Sequence, residues 1–276
     1  MTEPNLKFPI LLSIAAAVVT MSLKAVAWWV TGSVGLLSDA ADPALLDRWL
    51  PRVAAGEVIV TVGLQGMPYV ADAHVAGLLL LQQGDELHAL EPDAVTVTPQ
   101  PSVDRARRLF RVAWTPAPGT LVGAAETART ATATAFDRGA LCVSAQLLGI
   151  TGRLIEMAVA YARDRRQFGR PIGSYQAVQH RLADALLHQE FARPVVYQAA
   201  ASLAQRSPTA SRDVSMAKCY AARAATFASR TALQVHGAIG YTDECDLHLW
   251  LKRALALAGA WGDVPWHRRR VAAAVL

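Results

Sequence analysis

Residues 161–185 read YARDRRQFGRPIGSYQAVQHRLADA, and the reading of the whole chain turns on them. Arg163, Arg165, Arg166 and Arg170 surround Gln167-Phe168-Gly169. Guanidinium forks match phosphate oxygens two at a time, and an adjacent aromatic ring can lie against a planar ligand. The same residues also suit an ordinary helix end, where arginines complement the dipole and glycine terminates. Upstream, residues 137–163 place Leu141, Leu147, Leu148, Leu154, Ile155 and Ala158 at helical spacing, which predicts one long helix ending before Phe168-Gly169. Downstream, 174–206 predicts a second helix broken by Ser207-Pro208, and 211–236 a third stopped by Gly237 and Gly240. A fourth is expected over 243–258 and a short one after Pro265. Long helices on short loops pack as an antiparallel bundle.

The second stretch of interest is Gln234-Val-His-Gly-Ala-Ile-Gly, a glycine-rich helix exit that lets a ligand approach the backbone. His236 alone reads as a packed or capping histidine. His74, His88, His180, His188, His248 and His267 have no metal-ligand spacing. Cys142, Cys219 and Cys245 are far apart, with no C-x-x-C pair, which argues against structural zinc or a disulfide framework and fits a reducing compartment. No G-x-S-x-G, Walker A or G-x-G-x-x-G pattern occurs. Trp266-His267-Arg268-Arg269-Arg270 reads as a solvated basic helix face.

Residues 41 to about 125 have another texture. DPALLDRWLPRVAAGE predicts a short amphipathic helix ending at Gly56. EVIVTVGL, VAGLLLLQ, ELHAL, AVTVTP and LFRVAW then read as short strands, separated by turn residues QGMP, QQGD, EPD and TPAPG. Over the 276 residues, 53% are apolar and 18% charged, which rules out a disordered chain. A net charge of +5, from 27 Lys+Arg against 22 Asp+Glu, is too small an excess to argue for nucleic acid.

Together these motifs resemble the acyl-CoA dehydrogenases. The 161–185 stretch is similar to that family's signature, QVHGAIGYTDE at 234–244 to its second one, and DRARRL at 104–109 to the end of its β-domain. The resemblance covers roughly residues 41–276. It implies an α+β, mainly α fold: a C-terminal four-helix bundle, here with a reduced β-domain and an apolar N-terminal helix. It implies FAD as cofactor, an acyl-CoA substrate losing two hydrogens from its α and β carbons, and an oligomer of homologous subunits. By this resemblance Arg165 is the residue that meets the FAD pyrophosphate of a neighbouring subunit. Gln167 and Phe168 follow in the same stretch, Gln176 reaches the adenosine half, and Gln234, Gly237 and Ala238 form the turn beside it. Ala238 replaces the more usual glycine.

The resemblance departs at the base. The family's glutamate in a Y-E-G-T-like run falls at Trp261 of Ala260-Trp261-Gly262-Asp263. An alternative base position, early in the first bundle helix, falls in Arg138-Gly139-Ala140. A base must accept the α-proton, and neither Trp261 nor Gly139 has an atom to do so. Asp137 and Asp263 are acids close by in sequence. GLQGMPYVAD stands where the family's T-E-P-x-x-G-S-D flavin-ring loop is expected. No catalytic residue and no metal ligand is therefore assigned, and a catalytic partner subunit is expected.

The first 40 residues differ again. Residues 8–37 are almost entirely apolar or small, with Lys24 the one charge, long enough to span a bilayer, and Trp28 and Trp29 suit an interface. SIAAAVVTMSLKAVAWWVTGSVGLLSDA resembles the first transmembrane helix of the cation diffusion facilitator transporters. That family's metal-binding acid falls at Asp39, but one turn later stands Pro43, which cannot ligate. The resemblance ends near Ala40. The expected organisation is thus a transmembrane-like helix over 1–40, a reduced β-domain with a leading helix over 41–125, and a bundle over 126–276. The expected location is cytoplasmic, with membrane association if residues 8–37 insert.

Overall fold

The computed structural model describes residues 43–276. The apolar helix expected over 8–37 lies outside the described residues. Two compact units divide the chain: one holds 43–98 and 110–135 among the described residues, the other 99–109 and 136–276.

The first unit opens with α1 (Pro43–Ala54), where proline stands at the first helical turn, the place that loses nothing by lacking an N–H. Trp49 and Val53, one turn apart, are its buried residues, and Gly56 follows at φ 75°. The strands are β1 (Val60–Gly63), β2 (Val70–Ala71), β3 (Leu78–Gln83), β4 (Glu86–Leu90), β5 (Thr96–Gln100), β6 (Leu109–Ala113) and β7 (Leu121–Ala124). One sheet has the order β1-β3-β4-β7 and the other β2-β6-β5. Leu78-Leu79-Leu80-Leu81 is buried on both faces, as a continuous apolar run requires of a central strand. β3 and β4 pair antiparallel with Gln83 opposite Glu86, and Gly84 at φ 57° supplies the left-handed turn residue that a two-residue hairpin demands. Val70, Leu79, Leu81, Leu90 and Phe110 form this unit's core, with Val97, Val112 and Trp114 packed against it. The five strand runs expected from the sequence are present; β2 and β7 are additional.

The helices are α2 (Ala125–Asp164), α3 (Gln176–Ala204), α4 (Ala210–His236), α5 (Leu247–Gly259) and α6 (Val264–Val275). α2 starts a dozen residues before the expected 137, because Ala125–Ala135 is alanine- and threonine-rich and lacks the large apolar residues that mark a core face. Its first turns belong to the β-rich unit and the rest to the helical one. Ala140, Val143, Leu147, Leu154, Ala158 and Ala162 keep one buried stripe along it. By length and composition α2 is apolar enough to cross a membrane, a test that a bundle's core helix also passes. α4 is the alanine-lined centre, with Ala217, Ala221, Ala224, Ala225 and Ala228 buried and α3, α5 and α6 packed on it. Small side chains let four helices approach closely. The fold is therefore mostly helical, with a C-terminal bundle and a small sheet region, as expected.

The DRARRL loop, 104–109, belongs to the helical unit. Asp104 is buried and ion-paired with Arg253, while Arg107 donates to Ala256 O at 3.0 Å, so α5 holds the loop at two points.

Candidate functional site

Between α2 and α3, β8 (Arg166–Gln167) and β9 (Arg170–Pro171) pair antiparallel across Phe168-Gly169. Both turn residues are left-handed, Phe168 at φ 52° and Gly169 at φ 81°. Two positive φ values make the turn type whose twist suits a tight ribbon. Glycine adopts it freely; a bulky residue there is strained. Yet Phe168 is 92% exposed, so packing within the described chain does not offset that strain. The hairpin is braced from its base. Ile172 N donates to Arg165 O at 2.8 Å, and Tyr175 Oη donates to Gln167 O at 3.0 Å. The Arg170 guanidinium lies 4.1 Å from the Tyr175 ring centre. Gln179 Nε2 donates to Gly173 O at 2.9 Å. Gly173 has to be small, since a Cβ would come 3.0 Å from Ala162 O.

α4 ends beside this hairpin's base. The Tyr161 ring, in the last turn of α2, stacks on His236 with centroids 4.4 Å apart. His236 is buried and its Nδ1 lies 2.8 Å from Ala232 O, so it is a packed histidine rather than a reactive one. The stack ties the two sequence motifs to one end of the bundle. Arg165, Gln167, Phe168, Gln176, Gln234, Gly237 and Ala238 all lie at that end and all are exposed. Gly237, at φ 65°, has nothing within 4 Å of where a Cβ would stand, and neither has Gly169. Guanidinium forks beside open glycine backbone are what a dinucleotide's diphosphate needs. The residues present therefore fit the adenosine and pyrophosphate half of an FAD site.

The opposite end of the bundle is different. The Trp261 indole lies directly on Gly139: a Cβ there would come 2.4–2.6 Å from three of its ring atoms. Phe136 meets Trp261 edge-on at 5.9 Å and Trp266 at 4.8 Å. Asp137 is buried and is bonded by Arg270 and by the Ser211 hydroxyl. Asp263 caps α6, its Oδ1 accepting from Trp266 N at 2.8 Å. Each of the two nearby acids is thus committed to a structural bond. Lys218 is fully buried, and desolvation lowers its ammonium to about 8. Desolvation also lowers His267 to about 4, with its bond to Trp261 O opposing.

That burial corrects the basic-face reading of 266–270. Arg268 and Arg269 are exposed, but His267 is fully buried and Arg270, one turn on, turns inward to Asp137. A run of arginines masked the helical period. The sequence pattern does not mark Tyr175 or Lys218 as functional. A lone lysine in the alanine-rich AKCYAARAA run was the available signal for the second. No group of three or more His, Cys, Asp or Glu side chains able to hold a metal occurs among the described residues. In the β-rich unit, GLQGMPYVAD forms the turn from β1 into β2, braced by Thr61 Oγ1 donating to Ala71 O at 2.6 Å.

A family model described as acyl-CoA dehydrogenase, C-terminal domain, matches residues 129–276. Acyl-CoA dehydrogenase IpdE2 of Mycolicibacterium smegmatis is 34% identical over 226 residues, 82% of this chain and 67% of that protein. The Mycobacterium tuberculosis protein of the same name is 39% identical over 118 residues, 43% of this chain and 35% of its own length. Among solved structures, butyryl-CoA dehydrogenase from Megasphaera elsdenii superposes with a TM-score of 0.80 at 18% identity, covering 88% of this chain and 74% of the other.

Proposed function

The chain belongs to the acyl-CoA dehydrogenase family, an oxidoreductase family whose cofactor is FAD, and from that premise we propose that it is a flavoprotein subunit needing a base-bearing partner. The reaction is α,β-dehydrogenation of an acyl-CoA thioester, in breakdown of a lipid or sterol side chain. The observation that carries this reading is the contact between Trp261 and Gly139. These are the two positions at which the family resemblance expects a carboxylate. Here an indole fills the space and neither residue can take a proton.

FAD, when bound, supplies the hydride acceptor. This chain's own residues do the holding. Arg165 would meet the pyrophosphate with its fork, and the flanking arginines raise the local positive potential. Phe168 offers its exposed ring, and Gln167, Gln176 and Gln234 offer amide donors and acceptors. Gly237 and Ala238 let the ligand approach the backbone. The hairpin's outward presentation supports a site shared with a neighbouring subunit. So does α3, which leaves Leu187, Phe191 and Tyr197 exposed although its opposite side is packed. A helix apolar on both sides calls for a partner on each.

A second reading has the chain as a non-catalytic relative that keeps the fold for binding alone. Flavin absorbance near 450 nm after gel filtration separates the two, because only the first retains FAD. Membrane attachment through residues 8–37, the segment that resembles a cation transporter's first helix, is supported by its length and by Lys24 being its one charge; otherwise the chain is cytoplasmic. The test of the partner is dye reduction with a panel of acyl-CoA esters. Turnover is expected from a co-expressed pair with an intact glutamate, and none from this chain alone.

A further inference from the structure

Lys218 has no exposed surface, although an ammonium is among the costliest groups to remove from water. Its Nζ donates to Ala258 O at 2.8 Å and to Gly262 O at 3.0 Å. Those carbonyls stand on either side of Trp261. A third hold comes from α6. His267 Nε2 lies 2.8 Å from Trp261 O. A carbonyl can only accept, so this ring carries its proton on Nε2 and leaves Nδ1 bare. Nδ1 is buried and has no hydrogen-bond partner among the described residues. Three carbonyls of the α5–α6 corner are thus bonded by side chains, two by Lys218 of α4 and one by His267 of α6 itself.

The corner needs that restraint. Trp261 is at φ 55° and Gly262 at φ 86°. A tryptophan in the left-handed region is a costly outlier that persists only where its surroundings fix it. Relaxation of residue 261 to negative φ would swing its side chain off Gly139. The bonds to Lys218 and His267 are made to backbone atoms, so they do not depend on what side chain residue 261 carries. We propose that Lys218 and His267 are positioning residues that fix the backbone at position 261 and so aim whatever side chain stands there onto the Gly139 side of the bundle end. Its functional weight rests on the reading above that position 261 is where the family resemblance expects the base. The clamp itself does not depend on flavin.

The test labels the full chain with 5-fluorotryptophan and follows the fluorine resonance of Trp261, assigned by its loss in Trp261→Phe. Lys218→Met is expected to shift or split that line while those of Trp49 and Trp114, in the other unit, stay in place. His267→Leu is expected to do the same, and His267→Gln, which keeps a donor for Trp261 O, to restore the wild-type position. A merely structural loss would move all the lines and would not be rescued by glutamine. An unmoved Trp261 line in folded Lys218→Met and in His267→Leu overturns the proposal. If Lys218→Met does not fold, the His267 pair decides alone. Flavin absorbance is read on the same samples. A moved Trp261 line in a chain that never held flavin supports the clamp and counts against the flavoprotein reading instead.

Discussion

Gly139 and Trp261 stand where a carboxylate is expected, and they are in contact with each other. Gly139 is inside a helix, where alanine is normally the better residue by about 1 kcal/mol. Here the indole takes the space, and the cost of overpacking, typically about 1–3 kcal/mol, exceeds that gain. Gly139→Ala is therefore expected to lower stability in urea unfolding, and Gly139→Ala with Trp261→Ala to recover part of the loss. Unchanged stability of the single variant would mean that the indole is free to leave. At the other end, the proposed role of Arg165 predicts that Arg165→Ala loses a charge-assisted phosphate contact, at about 1.5–3 kcal/mol, or roughly 10- to 150-fold in flavin affinity. Flavin retention unchanged on gel filtration would take Arg165 out of the site. At this scale the sequence was informative wherever one residue replaces another in a pattern, as Trp261 does. It was silent on Tyr175, whose hydroxyl and ring find partners only once the hairpin has folded back onto α3.

The α5–α6 corner and the β8–β9 hairpin carry the predictions for elements. Burial holds the folded-state His267 at about 4, below the ordinary 6.5. The unfolded chain therefore binds more protons between those values, and stability falls as pH drops from 6.5 through 4. Relative to wild type, His267→Gln should flatten that part of the pH–stability curve; an identical curve would mean that His267 is not buried as a neutral ring. Tyr175→Phe removes the bond to Gln167 O and keeps the ring under Arg170. A loss of about 0.5–1.5 kcal/mol in local opening free energy is expected, read as faster amide exchange in 166–171. Five strands and all five helices of the 126–276 region were legible because each carries its period or its breakers over enough residues. β2 is two residues long, too short for either signal, and β7, Leu121–Ala124, follows two apolar residues with Gly and Ala, which carry no strand preference. The early start of α2 was hidden for the opposite reason, since small residues show no face. His267 and Arg270 sit in a run whose charge concealed an inward turn.

The helical unit presents an arginine-ringed, aromatic-tipped hairpin at one end of the bundle and an aromatic corner, with the Trp261 indole on Gly139, at the other. The first is a surface that offers binding; the second leaves no free carboxylate where the family resemblance expects one, with Asp137 bonded to Arg270 and Ser211 and Asp263 spent on a cap. General-base catalysis contributes typically 10²- to 10⁴-fold, so a chain without it should bind flavin and yet turn over negligibly. The most direct measurement is anaerobic bleaching of the 450 nm flavin band on adding acyl-CoA esters to the purified, FAD-loaded full-length chain, then to the same chain co-purified with a glutamate-bearing homologous subunit. Retained flavin that bleaches only in the pair is the predicted result. Rapid bleaching by the chain alone would contradict the account and point to an acid at the Trp261 corner, Asp263 first, as the base.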